Sequence, residues 1–273
     1  MTWHLTVDAG NSQLALVLYQ NERRVDGLRL RTHPHPEPRQ IVDALQQLMQ
    51  GRSLASDSVQ LTISSVVPSF ERQLRKAAEL LEPEHFHWVG WNSPHGFTAS
   101  ETASSEIGAD LISGLVGARV YGREASVVID CGTATTLTVL NSRDHILGVA
   151  ILPGLVTQLL SLTNSAPHLP KDVSLRPPDM PFGNDTEESL QSGILYGHAA
   201  GIEGLVCRYR KLLAPDKVRA IGCGGLYHRI ASLCPSVEIE QTELVNIGCR
   251  VLAERVHAGG VSGTVETQRT FGP

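Results

Sequence analysis

Leu5-Thr6-Val7-Asp8-Ala9-Gly10-Asn11-Ser12 and Val127-Val128-Ile129-Asp130-Cys131-Gly132-Thr133-Ala134-Thr135-Thr136 carry one pattern twice. In each, an apolar strand delivers an Asp, and an Asp-x-Gly step leads into small polar residues. Each continues into a second strand, Leu14 to Leu18 and Leu137 to Leu140, and then a polar turn, Gln20 to Asp26 and Asn141 to His145. The repeat predicts two similar half-molecules with a cleft between them. Glycine lets the backbone approach a ligand closely, and successive N–H groups and hydroxyls can donate to phosphate. Taken singly, either loop is equally a tight turn, because Asp-x-Gly is common there.

Around these loops the chain alternates helix and strand patterns. Ile41, Ala44, Leu45, Leu48 and Met49 recur at helical spacing, as do Phe70, Leu74, Ala77, Ala78 and Leu81. Between them, Gln60 to Val67 reads as a strand, and His87 to Val89 as a short one. Residues 92–107 are small and polar, an inter-domain stretch, and a helix bearing Ile112, Leu115, Val116 and Val120 follows. Ala150 to Leu152 reads as a strand stopped by Pro153-Gly154, with a helix from Leu155 to Leu162. Residues 164–184 hold five prolines and read as a functional loop. The longest helix opens at Asp185 with Glu188 completing a capping box. It carries Gly193, Gly197, Gly201 and Gly204, and each costs a helix about 1 kcal/mol against Ala. Four together predict close approach of another helix or a subunit. A strand from Val218 to Ile221 feeds Gly222-Cys223-Gly224-Gly225, a third glycine loop, and the last helix runs from Leu244 to Val256. The fold class is α/β, with domains at 1–103 and 104–257 and a flexible tail at 258–273.

Composition narrows the function. The 273 residues are 41% hydrophobic and 19% charged, as in a soluble globular protein. No apolar run reaches the ~18 residues of a membrane span. Net charge is −5 with scattered Lys and Arg, which argues against nucleic acid. Five cysteines without a C-x-x-C pair predict reduced thiols in a cytoplasmic protein, and Cys131 a filler residue. The histidines form no metal set: His33 and His35 lie in a proline-rich loop, and His198 on the long helix packs or faces solvent.

Asp110 stands in Ile107-Gly108-Ala109-Asp110, at a helix start. There it either complements the helix dipole or acts as a general base on a substrate hydroxyl.

Together these residues resemble a type III pantothenate kinase, of the actin and hexokinase-like ATPase superfamily. The matching pieces are Asp8 to Ser12, Ser64-Ser65-Val66-Val67-Pro68, Gly108-Ala109-Asp110, Asp130 to Thr136, and Gly148 to Gly154. Gly183-Asn184-Asp185-Thr186, Gln191-Ser192-Gly193-Ile194 with Tyr196-Gly197, and Gly224-Gly225 complete the set. The resemblance implies two ribonuclease H-like domains of mixed sheet with flanking helices, and ATP-dependent phosphorylation of pantothenate, the first step towards coenzyme A. It implies ATP contacts at Asp8, Ala9, Gly10, Asn11, Ser12, Gln13, Gly132, Thr133, Gly224 and Gly225. Asp8 would stand near Mg²⁺ through the phosphates, and Asp130 would bind a monovalent cation, K⁺ or NH₄⁺. Asp110 matches the catalytic base, and Gly108, Ala109, Asp110, Leu111 and Thr186 the pantothenate contacts. The family is a homodimer.

The departures gather on the acceptor side. The family's Gly-x-Asp-Arg ends here in Leu111, and Glu101 stands where a Tyr is common. Arg119 or Arg143 could supply the missing cation. Two other expectations stay open: a kinase of this architecture acting on another hydroxyl compound, and a catalytically silent binding or regulatory protein.

Overall fold

The computed structural model describes residues 2–258, and the tail expected from 258 otherwise lies outside the described residues. Two five-stranded sheets carry the same plan. The first is built from β1 (Trp3–Ala9), β2 (Gln13–Gln20), β3 (Arg23–Arg31), β4 (Val59–Ser65) and β5 (His85–Trp88), in the order β3-β2-β1-β4-β5. The second uses β6 (Ala125–Cys131), β7 (Ala134–Leu140), β8 (Ile146–Pro153), β9 (Val218–Cys223) and β10 (Ile239–Glu240), in the order β10-β9-β6-β7-β8. In both, a three-stranded antiparallel meander is extended by two parallel strands. The repeat extends to a defect: a register shift falls at Leu18/Tyr19 in the first meander and at Val139/Leu140 in the second.

The third strand of each meander departs from the expected pattern. The first reversal occupies only Asn21 and Glu22, with Asn21 at φ 52°, and β3 begins at Arg23 where a turn to Asp26 was expected. Arg23, Asp26, Arg29 and Arg31 are exposed along this edge strand, and their charge discourages pairing with another chain and hides the strand's alternation. β8 likewise begins at Ile146, four residues before the expected start.

Helices follow their apolar stripes. α1 (Pro38–Gln50) buries Ile41, Leu45 and Leu48, and α2 (Glu71–Leu81) buries Leu74, Ala78 and Leu81. Both join Leu5, Val7, Leu14, Leu16 and Leu18 in one core. The expected polar linker contains a short helix, α3 (Glu101–Glu106), whose Ser100 cap accepts from the amide of Ala103 at 3.3 Å. α4 (Ala109–Ala118), α5 (Leu155–Ser165), α6 (Thr186–Leu212) and α7 (Leu244–Ala258) complete the chain. At the start of α6 the Asp185 carboxylate accepts from the amide of Glu188 at 2.8 Å, as expected. The Glu188 carboxylate returns to the amide of Asn184, one residue before the position a capping box uses. The second core joins Val127, Ile129, Leu137, Leu155, Leu190, Ile194 and Ile202.

Two compact units emerge, and neither is continuous in sequence. One takes residues 1–95, 108–116 and the chain from Val245; the other takes Gly96–Ile107 and Gly117–Leu244. A single boundary at 103/104 does not describe this partition, because α7 packs on the first sheet. There the Asn246 side-chain amide donates to Thr6 Oγ1 at 3.1 Å and to the Ala15 carbonyl at 3.3 Å.

Candidate active site

Strand alternation decides which way the two acids point. Leu5, Val7 and Ala9 face the α1/α2 core, so His4, Thr6 and Asp8 take the other face. Val127, Ile129 and Cys131 likewise enter the second core, and Asp130 takes the opposite face. Both acids therefore stand at the last turn of a central strand, on the side away from the larger apolar core. Asp8 neighbours Ser64 on β4, and Asp130 neighbours Thr136 on β7. The Ser64 and Thr136 hydroxyls are buried and have no hydrogen-bond partner. A carboxylate beside an unused hydroxyl is an all-oxygen donor pair, the kind that hard cations such as Mg²⁺ and K⁺ take. Sequence reading gave these hydroxyls no role. Their signal was the strand register, which places each beside an acid.

After each acid comes a short loop. Gly10, Asn11 and Ser12 connect β1 to β2, with the Gly10 amide donating to the Gln13 carbonyl at 3.0 Å. Gly132 and Thr133 connect β6 to β7, with the Gly132 amide donating to the Ala134 carbonyl at 2.9 Å. Asn11, Ser12, Gln13 and Thr133 are exposed. Each loop is joined by the turn after the adjacent parallel strand. The Val66 amide donates to the Ala9 carbonyl at 3.2 Å, and the Leu226 amide to the Cys131 carbonyl at 3.1 Å. The second of these turns depends on Gly224, at φ +85°. A Cβ there would lie 2.3 Å from Asp130 Oδ1 and 2.6 Å from the Cys131 amide nitrogen. Cys131 fits the filler role: it is buried, and burial pushes its thiol up to about 12.

Asp110 lies in the first turn of α4, partly buried, and its Oδ1 accepts from the Leu111 amide at 2.7 Å. Burial holds the carboxyl above the usual carboxylate range, and backbone donors only partly offset this. Gly108 makes the approach: a Cβ there would meet Asp110 Oδ1 at 2.6 Å and Val66 Cγ1 at 3.2 Å. Asp110, Gly108, Val66 and Ala9 are thus contiguous within the first unit, which puts the acid beside the first loop. A carboxyl raised by desolvation takes up a proton more readily than an ordinary one.

Several expectations receive a definite place. Thr186 is exposed at the first turn of α6. Ala109 is buried, and Leu111 is partly buried on α4. Arg119 is committed within the second unit: it donates to Asp144 at 2.6 Å, to the Glu124 carbonyl at 2.7 Å and to the Asn141 carbonyl at 2.8 Å. It holds a hairpin corner and is no substitute for the missing cation. His198 is buried on α6, bonded to Thr135 Oγ1 at 3.0 Å and to the Gln158 amide at 2.8 Å. Of the four α6 glycines, a Cβ at Gly193, Gly197 or Gly204 would meet nothing within 4 Å, and at Gly201 only Leu152. No helix of this chain's described residues therefore explains the stripe.

Comparison with known proteins bears on this geometry. A family model described as type III pantothenate kinase matches residues 4–208. The chain is 31% identical over 254 residues to a type III pantothenate kinase of Rubrobacter xylanophilus, covering 91% of this chain and 96% of that one. It is 32% identical over 256 residues to one of Geotalea uraniireducens, covering 92% and 98%. Among solved structures, a conserved Baf family protein of Campylobacter jejuni superposes with TM-score 0.56 at 19% identity, covering 93% and 99%. A polyphosphate/ATP-glucomannokinase of Arthrobacter superposes with TM-score 0.52 at 12% identity, covering 94% and 100%. The last two similarities concern the fold.

Proposed function

The chain belongs to the type III pantothenate kinase family, and on that footing we propose that it phosphorylates pantothenate with ATP to give 4'-phosphopantothenate. The observation that carries this reading is Asp110: a carboxyl held above its usual range, set beside the loop that follows Asp8. Asp110 accepts the proton of the substrate hydroxyl as that oxygen attacks the γ-phosphorus and ADP leaves. Asp8, Ala9, Gly10, Asn11, Ser12 and Gln13 contact the phosphates of ATP, and Gly132, Thr133, Gly224 and Gly225 contact the nucleotide. Asp8 with Ser64 would hold Mg²⁺, and Asp130 with Thr136 would hold K⁺ or NH₄⁺. These cations would supply charge neutralisation. Catalysis is otherwise positioning and electrostatic stabilisation. Gly108, Ala109, Leu111 and Thr186 border the acceptor.

Leu111 favours a second reading, in which the acceptor is a hydroxyl compound lacking a carboxylate. An Arg there would give a carboxylate charge-assisted hydrogen bonds, and Leu gives none.

A homodimer accounts for the α6 surface. Gly193, Gly197, Ala200, Gly204 and Cys207 form one exposed small-residue row, and in the same unit Ile151 and Leu160 are 72% and 50% exposed. A second copy covering this face would explain why the glycines meet nothing within the chain. Operation in the cytoplasm suits an ATP- and thiol-containing enzyme.

ADP release, measured with ATP, Mg²⁺ and K⁺ and with or without pantothenate, tests the assignment. Pantothenate-dependent turnover supports it. Turnover only with hydroxyl compounds that lack a carboxylate replaces it with the second reading.

A further inference from the structure

Behind both phosphate loops the same device recurs, built from residues that the reading above does not use. In the first unit, Thr32 is the residue immediately after β3. Its amide donates to the Ser12 carbonyl at 3.1 Å and its hydroxyl to the Gly10 carbonyl at 2.7 Å. In the second unit, Gly154 is the residue immediately after β8. Its amide donates to the Thr133 carbonyl at 3.0 Å, and Thr157, three residues on, adds its hydroxyl to the same carbonyl at 2.6 Å. One amide and one threonine hydroxyl therefore hold the loop carbonyls in each half. Gly154 is obligatory for this contact, since a Cβ would lie 2.2 Å from the Gly132 carbonyl oxygen.

Thr32 is itself fixed. It is fully buried, and its carbonyl is bonded to His35 Nδ1 at 2.8 Å. The other ring nitrogen of His35 meets Ser69 Oγ at 3.0 Å, and the ring stacks on Phe70 at 4.7 Å.

The consequence follows from peptide geometry. In a trans peptide the C=O of one residue and the N–H of the next point in opposite directions. Holding the Gly10 and Ser12 carbonyls on one side turns the amides of Asn11 and Gln13 to the other. Holding the Thr133 carbonyl does the same for the amide of Ala134. A free glycine loop can flip its peptide planes, presenting an oxygen in place of a donor to an anion. We propose that Thr32 and Thr157 are positioning residues that lock the two loops in the donor-outward state ATP requires, with His35 bracing Thr32. This inference rests on the assignment of these loops to ATP.

The test compares Thr32→Val, Thr157→Val and the corresponding Ser variants. Val matches Thr in shape and removes only the hydroxyl, and Ser restores it. Binding of a non-hydrolysable ATP analogue with Mg²⁺, and of adenosine, is measured for each, followed by the KM values for ATP and acceptor. Each lost charge-assisted donor is worth about tenfold or more in affinity. We expect the Val variants to bind the triphosphate about tenfold more weakly, to bind adenosine as the parent does, and to raise KM for ATP alone. The Ser variants restore binding. Because Thr32 is buried, Thr157→Val and Thr32→Ser keep the test decisive should Thr32→Val fail to fold. Parent-like triphosphate affinity in folded Thr157→Val overturns the proposal, as does a loss that Ser leaves unrepaired. Failure of pantothenate as acceptor would overturn the functional reading while leaving these binding comparisons intact.

Discussion

Replacing Gly224 by Ala should damage both stability and nucleotide binding, and the structure says by how much. Gly224 sits at φ +85°, and an added Cβ would lie 2.3 Å from Asp130 Oδ1, 2.6 Å from the Cys131 nitrogen and 2.7 Å from its carbonyl oxygen. Ordinary contact begins at 3.4 Å, so the strand end carrying Asp130 must retreat by about 1 Å. Two of the three obstacles are backbone, which no rotamer change can relieve. The left-handed conformation costs a non-glycine residue roughly 1–2 kcal/mol. Forcing atoms into the packed turn adds about 1–3 kcal/mol. The expected loss is therefore about 2–5 kcal/mol, or a melting temperature lower by roughly 5–15 °C. A displacement of about 1 Å at a positioned group can cost around a hundredfold in rate. Gly96 is the internal control: it also has positive φ, 79°, yet its Cβ would meet nothing within 4 Å. Gly96→Ala isolates the backbone strain, and its loss should stop at roughly 1–2 kcal/mol. Thermal melts and ATP-analogue titrations of both variants decide the matter. Equal losses in the two, with unaltered ATP binding in Gly224→Ala, would refute the steric argument.

Asp110→Asn keeps the shape of the side chain, so we expect turnover to fall about 10²–10⁴-fold with ATP binding retained. The stability effect has the opposite sign. A carboxyl raised above its unfolded value contributes stability below the unfolded pKa and loses it as pH rises through the folded one. The Asn variant should therefore melt higher than the parent at neutral pH, with the gap closing in acid, and a lower melt at pH 7 would contradict this. In the parent, kcat should rise with pH through the raised pKa of Asp110, and a flat profile across that range would remove it as the base. Leu111→Arg should lower KM for pantothenate about tenfold or more by meeting the carboxylate; an unchanged KM would show that another group already does so. Gly197→Leu should convert a dimer to monomer in light scattering, and a persisting dimer would remove the α6 stripe from the interface.

What could be read from the sequence was local. The two Asp-x-Gly loops announced themselves because strand, acid and glycine are consecutive in the chain. α6 was legible from its cap, since Asp185 and Glu188 act within one turn. β3 was not, because the register shift at Val25 breaks its alternation and its exposed arginines mask the remainder, Leu28 and Leu30. Gly154 was read as a strand stop, but its contact with the Gly132 carbonyl depends on a loop from an earlier hairpin. Thr32 and Thr157 escaped for the same reason: a hydroxyl's partner more than twenty residues away leaves no mark in spacing. Arg119 looked available as a cation only because its carbonyl partners are invisible in sequence.

The discontinuous first unit bears on how the chain is made. Its first 95 residues form the whole first sheet, but α7, with Asn246 bonded to Thr6 and Ala15, comes from the far end of the described chain. The entire second unit, Gly96–Ile107 and Gly117–Leu244, is synthesised in between. At about 5–20 residues per second, the nascent first sheet waits roughly 10–30 s for its last helix. At the end of that interval the second unit has all of its own sequence while α7 is still to come, so it can close first. Vectorial synthesis thus inverts the order in which the halves mature: the half begun first is the one finished last.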